Sequence, residues 1–273
     1  MARPRIKWGW LRALTGLIVA LFTMVVSEEV ARPVIDMLPA GLQRLGTPCV
    51  TLLLLVLVIV VLWRFVDRRP VSKLGFSLHR KSGDIGFAMG LALVIMGGGF
   101  ALLLISGQIE VTGFTWNGGR LLYLLAFLAL HSAIEEIPLR GYVLRNLMDS
   151  LPPVWATVLV STVFGLLHLG NQHVSFMGIL NCALLGVLVG VYYIHKRNLH
   201  FPIVFHLFWN YFMGVIFGFP VSGKTFGYAL FSQQQTGPTW LTGGAFGFEG
   251  SVLLSGLTLG GIIWVHRKYR GMK

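Results

Sequence analysis

Residues 52–61 read LLLLVLVIVV, an unbroken aliphatic run with no polar side chain. With its flanks the run covers 48–66, which at 1.5 Å per residue is long enough to cross about 30 Å of hydrocarbon. Backbone groups inside a bilayer must be hydrogen-bonded within the segment, so such a run is helical. The alternating pattern of a membrane β-barrel is absent. The stretch therefore predicts a transmembrane α-helix.

Comparable apolar runs recur along the whole chain. We expect about eight membrane spans, at 8–26, 48–66, 85–106, 121–147, 153–170, 176–195, 201–219 and 249–266. The fold class that follows is all-α, a polytopic transmembrane helical bundle.

The composition agrees with a membrane protein. Hydrophobic residues make up 55% of the 273 positions and charged residues only 12%, whereas a soluble domain carries about 25% charged residues. The net charge of +12 does not indicate nucleic-acid binding, because the cations stand in short clusters between the apolar runs. The two cysteines, Cys49 and Cys182, lie within apolar segments and form neither a disulfide framework nor a metal motif.

The positions of the cations predict the orientation of the bundle. With the N-terminus inside, only four of the 22 cations face outward, and an excess of inward cations is the usual pattern. The four outward cations are Arg32, Arg44, Arg120 and Lys224. We therefore expect both the N-terminus and the C-terminus on the cytoplasmic side.

Ionisable and polar residues at membrane depth mark a candidate functional site. Glu135 and Glu136 are adjacent in the fourth span, where burying one acid costs roughly 2.5–3.5 kcal/mol. His168 follows in the fifth span, and His206 and Asn210 lie in the seventh. Such residues inside a membrane are functional by default.

The spacing of these residues sorts them into groups. His206 and Asn210 are four residues apart and share a helix face, and Glu136 is related in the same way to Arg140, which can neutralise it. Pro138 removes the hydrogen bond to the carbonyl of residue 134 and should kink the helix beside the acids.

His131 precedes Glu135 by one helical turn on the same face. Two interpretations of this histidine stay open: a buried side chain satisfied by a neighbour, or a partner of the Glu135 carboxylate.

The set contains the parts needed to hydrolyse an amide. A carboxylate held away from bulk water can serve as a general base near neutral pH. Two histidines and an amide can either bind a metal that generates hydroxide or donate hydrogen bonds to an oxyanion. The Gly-x-Ser-x-Gly and His-Glu-x-x-His motifs are absent.

Three stretches resemble motifs of one family of intramembrane proteases, the CAAX prenyl protease and bacteriocin-processing (CPBP, Abi) family. They are Glu135–Gly141 (EEIPLRG), Phe164–His168 (FGLLH) and His206–Asn210 (HLFWN). The stretches resemble the family's Glu-Glu-x-x-x-Arg, Phe-x-x-x-His and His-x-x-x-Asn motifs, in the family's order.

The resemblance implies a domain organisation. Residues 1–119 would be N-terminal transmembrane helices with a cytoplasmic loop, and 120–215 the catalytic membrane core. Residues 216–273 would form an outer loop and a final transmembrane helix.

The resemblance also implies a role for each residue. Glu135 would activate water, and the site would be lined by His168, His206 and Asn210, which polarise the scissile carbonyl or hold the water. Glu136 and Arg140 would be supporting residues. The chain departs from the family pattern at Pro138 and Leu139, which puts the fit of the substrate in doubt more than activity.

The resemblance leaves the cofactor open. The family is commonly labelled metalloprotease, yet a glutamate-and-histidine mechanism without metal is also argued for it. No metal ligand is assigned; in a Zn²⁺ enzyme His168 and His206 would be ligands with Glu135, and Glu136 would be the candidate base.

The expected function is an intramembrane endopeptidase that cuts a membrane-associated peptide or protein. Counted from the cytoplasmic helix ends, Glu135, His206 and Asn210 lie roughly 10–18 Å deep and His168 about 23 Å. The smaller depth would suit a substrate that enters from the inside or from the lipid. The alternatives are a catalytically silent membrane scaffold or immunity protein, and a proton-coupled transporter. In a prokaryote the location would be the plasma membrane.

Overall fold

The computed structural model describes residues 3–76 and 82–270 and is almost entirely helical there. The α-helices are α1 (Gly9–Asp36), α2 (Gln43–Val61), α3 (Ser82–Ile105), α4 (Gly118–Glu136), α5 (Arg145–Leu147), α6 (Pro153–Leu166), α7 (Phe176–Lys196), α8 (His200–Asn210), α9 (Thr239–Thr242) and α10 (Val252–Tyr269). The strands are β1 (Ile109–Phe114) and β2 (Phe231–Gln235), which pair antiparallel.

Wider or tighter helical turns extend several of these helices. Turns of π-helix follow α2, α4 and α8, at Leu62–Val66, Ile137–Leu144 and Tyr211–Ile216. A 3₁₀ turn, Leu167–Gly170, continues α6. Short 3₁₀ turns also occur in the connections, at Val71–Lys73, Gly244–Phe246 and Phe248–Gly250.

Six helices are long and apolar enough to cross a membrane, by length and composition. They are Gly9–Pro33, Gln43–Val66, Gly83–Ile105, Gly118–Leu147, Pro153–Gly170 and Phe176–Lys196. The predicted all-α membrane bundle is confirmed, and these six correspond to the first six expected spans. The last two expected spans are helices α8 and α10, which are shorter or less apolar than the others.

Large apolar side chains on the outside of the bundle agree with a lipid environment. Val25 is 72% exposed, Leu53 71% and Phe22 67%, all on α1 and α2. The core lies instead between α3, α7, α8 and α10, where the rings of Tyr192 and Phe201 stack with their centroids 3.7 Å apart.

Contacts between distant connections define two ends of the bundle. At the end that holds the N-terminus, the backbone N–H of Arg5 donates to Val66, and that of Leu199 to Gly75. We call this the inner end. At the outer end β1 meets β2, and the backbone N–H of Gly223 donates to Phe246.

A cluster of charges ties the inner end together. Arg12, of which 1% is exposed, pairs with Asp149, and its Nε lies 3.5 Å from Asp67 Oδ1. Arg69 also pairs with Asp149 and lies over the ring of Trp63. Burial raises the pKa of the Asp67 carboxyl above its ordinary value, although the two arginines oppose that shift.

Small residues, Gly186 and Gly190 of α7, let α6 and α7 approach closely. A Cβ on Gly190 would lie 2.5 Å from Thr157 Cγ2, and one on Gly186 would lie 3.1 Å from Ser161 Cβ. In the run Gly97–Gly99, only the third glycine is tightly packed, since a Cβ there would lie 2.3 Å from Phe248.

Candidate active site

The helix that carries the paired acids changes its geometry directly after them. Helix α4 ends at Glu136, and a turn of π-helix runs from Ile137 to Leu144 with Pro138 near its start. Proline cannot donate the regular backbone hydrogen bond, so the i→i−4 ladder is interrupted there. The expected disturbance at Pro138 is therefore present, as a π-helical segment of the kind often found at functional sites.

Glu136 is buried and held by two cationic or polar groups. Its Oε1 accepts a hydrogen bond from Arg140 NH1 at 2.9 Å and lies 3.1 Å from Nδ1 of His206. Only 1% of Glu136 and 1% of Arg140 is exposed. Arg140 NH2 also donates to the carbonyl of Gly186 at 3.4 Å, and its guanidinium lies over the ring of Phe164.

Glu135 has the opposite environment. Its side chain is half-buried, lines a cavity, and makes no hydrogen bond or ion pair with any residue that the structure describes. The two adjacent carboxylates therefore differ sharply. Glu136 is fixed within the protein, whereas Glu135 has its oxygens available to a ligand in the cavity.

Backbone partners indicate the tautomers of two histidines. His168 Nδ1 lies 2.8 Å from the carbonyl oxygen of Phe164, and His131 Nδ1 lies 3.0 Å from that of Phe127. A carbonyl can only accept, so each Nδ1 carries the proton. His131 is thus satisfied by its own helix, and no hydrogen bond joins it to Glu135.

One cavity of about 360 Å³ brings the motif residues together. It is lined by all four residues assigned to catalysis from the sequence and by both supporting residues, namely Glu135, His168, His206, Asn210, Glu136 and Arg140. Apolar and aromatic side chains, with Leu128, Phe164 and Val189 among them, form much of the rest of its wall. A small apolar cleft with a few convergent polar groups is the usual form of a ligand site.

The cavity also contains an acid that the sequence analysis missed. Glu249, of which 4% is exposed, accepts hydrogen bonds from Trp209 Nε1 at 3.1 Å and from the backbone N–H and hydroxyl of Ser222. Its own backbone carbonyl accepts from Asn181. The sequence offered one indication of this residue, because Glu249 is an acid at the first position of the last expected membrane span. This carboxylate joins the outer connection to the helix that carries Asn210.

The arrangement does not form a three-ligand metal site. Among residues 3–76 and 82–270, no group of three His, Cys, Asp or Glu side chains is placed so that it could hold a metal ion. The ligand set considered for Zn²⁺ therefore does not fit this geometry, and the chemistry below is derived from the side chains alone.

The part of the chain that contains the three motifs matches a known protein family. Residues 117–212 match the Rce1-like family, described as type II CAAX prenyl endopeptidase Rce1-like. The resemblance inferred from the three motifs is confirmed. No curated protein and no solved structure matches the chain.

The Rce1-like segment includes every residue assigned to the site from the sequence. Taken with the six apolar helices, the match shows an integral membrane protein that is similar to CAAX-type intramembrane proteases.

Proposed function

We propose that the chain is an intramembrane endopeptidase in which Glu135 activates the water that attacks a peptide bond. The observation that carries this proposal is the contrast between the two acids. Glu136 already accepts from Arg140 and faces His206, while Glu135 lines the same cavity with no protein partner among the described residues. A general base must be free to bind the water whose proton it takes.

The other polar side chains that line the cavity can supply the remaining functions. Asn210 can donate from its amide nitrogen to the oxyanion of a tetrahedral intermediate. In the neutral form of His168, Nε2 is the acceptor, because the Nδ1–H donates to the carbonyl of Phe164. His206 donates from Nδ1 to the Glu136 carboxylate, which orients its ring. When the ring carries both protons, its Nε2–H can donate to the oxyanion.

The reaction balances without any further reactant. Glu135 removes a proton from water while the hydroxide oxygen bonds to the scissile carbonyl carbon, and Asn210 and His206 stabilise the negative oxygen. The C–N bond then breaks, and the proton held by Glu135 passes to the departing amine. This gives a carboxylic acid and an amine, and the carboxylate of Glu135 is restored. The remaining proton of the new acid then passes to the amine, so the released products are a carboxylate and an ammonium group.

The surroundings of the site indicate the kind of substrate. The cavity lies inside a bundle of membrane-spanning helices, so a membrane-associated peptide or protein is the proposed substrate. In a prokaryotic cell the enzyme would reside in the plasma membrane. The Rce1-like match raises prenylated tails as one substrate class, alongside unmodified membrane-tethered peptides.

Cleavage of membrane-tethered peptides by the purified protein tests the proposal. Wild type is compared with Glu135→Gln and with Glu110→Gln, a control that removes an exposed acid of β1. Glu135→Gln should lower the rate by roughly 10²–10⁴, the usual contribution of a general base, and the control should cleave like wild type.

A chelator arm decides whether a metal takes part. Cleavage that persists in chelator supports a water activated by Glu135 alone. Cleavage lost in chelator and restored by Zn²⁺ would replace this mechanism with a metal-dependent one. Unchanged cleavage by Glu135→Gln would refute the role assigned to Glu135.

A further inference from the structure

The exposed residues that line the cavity lie at one end of the bundle. Arg44, Lys224 and Thr225 are the exposed lining residues among those described. Arg44 is at the start of α2, and the other two lie in the connection between α8 and β2. We call these three residues the rim. Lining residues that lie closer to the inner ends of α7 and α8, such as Val189 and Phe205, are buried.

The rim belongs to the outer end. Lys224 lies next to Gly223, whose backbone N–H donates to Phe246, one of the contacts that define the outer end. The distribution of cations along the chain assigns this end to the extracytoplasmic side. The cavity therefore opens away from the cytoplasm, opposite to the entry expected from helix depths counted at the cytoplasmic ends.

Two of the four outer cations, Arg44 and Lys224, belong to the rim, and the other two have protein partners. Arg32 pairs with Glu29 at 2.9 Å, and Arg120 donates to the carbonyl of Gly227. Arg44 and Lys224 have no ion-pair partner within the described part of the chain. The acids that line the cavity are Glu135, Glu136 and Glu249, and none of these is exposed. The mouth thus has a positive charge that nothing at the rim neutralises.

We propose that the cavity receives its substrate from the extracytoplasmic side, and that Arg44 and Lys224 select peptides with an acidic group near the scissile bond. The proposal rests on the peptidase function proposed above. Tyr123 lines the cavity near the outer end of α4, and from there to Glu135 is about 18 Å along the helix. An extended peptide covers that distance in about six residues, so the acid would lie within about six residues of the cleaved bond.

A peptide suits the interior better than a lipid tail does. Beyond the rim the cavity presents polar atoms of Glu135, His206 and Asn210. An acyl chain would leave these groups dry and unpaired, which is costly, whereas a peptide carries amide groups that can bond to them.

The side of access is tested in oriented vesicles with a membrane-impermeant maleimide. Single cysteines are placed at Lys224→Cys in the rim, Arg32→Cys as an outer marker and Arg267→Cys as an inner marker. The background removes both native thiols, as Cys49→Ser and Cys182→Ala. Lys224→Cys should react with the maleimide from the same side as Arg32→Cys. A bound peptide should slow the labelling of Lys224→Cys and leave the labelling of the two marker cysteines unchanged. Reaction together with Arg267→Cys would overturn the proposal, and this readout does not depend on activity.

The charge preference is tested with matched peptides that differ by Glu or Gln within six residues of the cleaved bond. Wild type should show the lower KM for the acidic peptide. Arg44→Gln and Lys224→Gln should each raise that KM roughly two- to fivefold, as expected for one exposed ion pair. The kcat should stay unchanged, and Arg32→Gln should have no effect.

Added salt should reduce the preference, because exposed charges are screened. Equal KM values for the two peptides in wild type would overturn the selection of acidic substrates. A KM that follows the anionic lipid content of the vesicles, and not the peptide's acid, would show that a lipid headgroup occupies the rim and would also overturn it. If no peptide is cleaved, the peptidase function fails, while the labelling experiment still reports which side the mouth faces.

Discussion

Two neighbouring carboxylates, Glu135 and Glu136, occupy one helical turn but have different surroundings. Successive helical residues point about 100° apart, so one acid can face the cavity while the other faces Arg140 and His206. Leaving a buried charge such as Glu136 without partners would be strongly destabilising. The contacts with Arg140 and His206 therefore offset the free-energy cost of burying the Glu136 carboxylate next to Glu135.

Asn210 gives a prediction at the same scale. If its amide donates to the oxyanion, Asn210→Ala should reduce kcat by roughly 10²–10³, with little change in KM or thermal stability. Asn171→Ala, which changes an amide elsewhere on the cavity wall, is the matched control and should leave kcat unchanged. A loss of similar size in both variants would mean that Asn210 has no special role.

The sequence singled out six residues that line one cavity in the structure, but their contacts could be predicted only in part. The pairing of Glu136 with Arg140 follows from a spacing of four residues within one helix. The contact of Glu136 with His206 spans 70 positions in sequence, so no local pattern indicates it. The role of Glu249 was missed for the same reason, because its partners Trp209 and Ser222 lie far from it along the chain.

At the scale of the elements, the close packing of α6 on α7 positions Arg140. A Cβ on Gly186 would lie 3.0 Å from Arg140 NH2 and 3.1 Å from Ser161 Cβ, so the arginine would have to move. Gly186→Ala should therefore weaken the bond to Glu136, lower activity several-fold and reduce the midpoint of thermal unfolding.

The matched control for that variant is Gly98→Ala in α3, where nothing lies within 4 Å of an added Cβ. Alanine is the better helix former, so this change should be neutral or slightly stabilising. Equal melting midpoints for the two variants, with wild-type activity in both, would contradict the packing argument.

The helices were predictable because long apolar runs leave few alternatives in a membrane. The strands β1 and β2 were not predicted. They are short, they are separated by more than a hundred residues, and their pairing forms only when the outer connections meet. The π-helical turns after α2 and α8 have no proline to indicate them, unlike the turn that contains Pro138.

At the scale of the whole molecule, the inner charge cluster joins the start of α1 to the residues after α2 and to Asp149 beyond α5. Arg12→Met removes the buried cation and leaves Asp67 without its nearest positive charge. The free energy of unfolding should fall by on the order of 3 kcal/mol.

Thermal unfolding in detergent checks this value. The control is Arg64→Met, which changes an exposed arginine of the π-helical turn after α2. Equal melting midpoints for the two variants would show that the cluster is not stabilising.

Glu249 plays the corresponding part at the outer end, where it connects Trp209 of α8, Ser222 of the outer connection and, through its backbone, α7. Glu249→Gln weakens charge-assisted hydrogen bonds and should cost about 1–2 kcal/mol. Limited proteolysis should then cut residues 217–250 faster than in wild type or in Glu110→Gln. An unchanged rate of cutting would mean that the carboxylate does not hold this connection in place.

The most direct test of the central claim is a single-turnover comparison of Glu135→Gln with Glu136→Gln on one cleavable membrane-tethered peptide, with thermal unfolding measured in parallel. The account predicts that Glu135→Gln unfolds like wild type but cleaves roughly 10²–10⁴ times more slowly. It also predicts that Glu136→Gln unfolds at a lower temperature and keeps more of its activity. The reverse pattern, with Glu136→Gln inactive but stable and Glu135→Gln active, would contradict the assignment of Glu135 as the base.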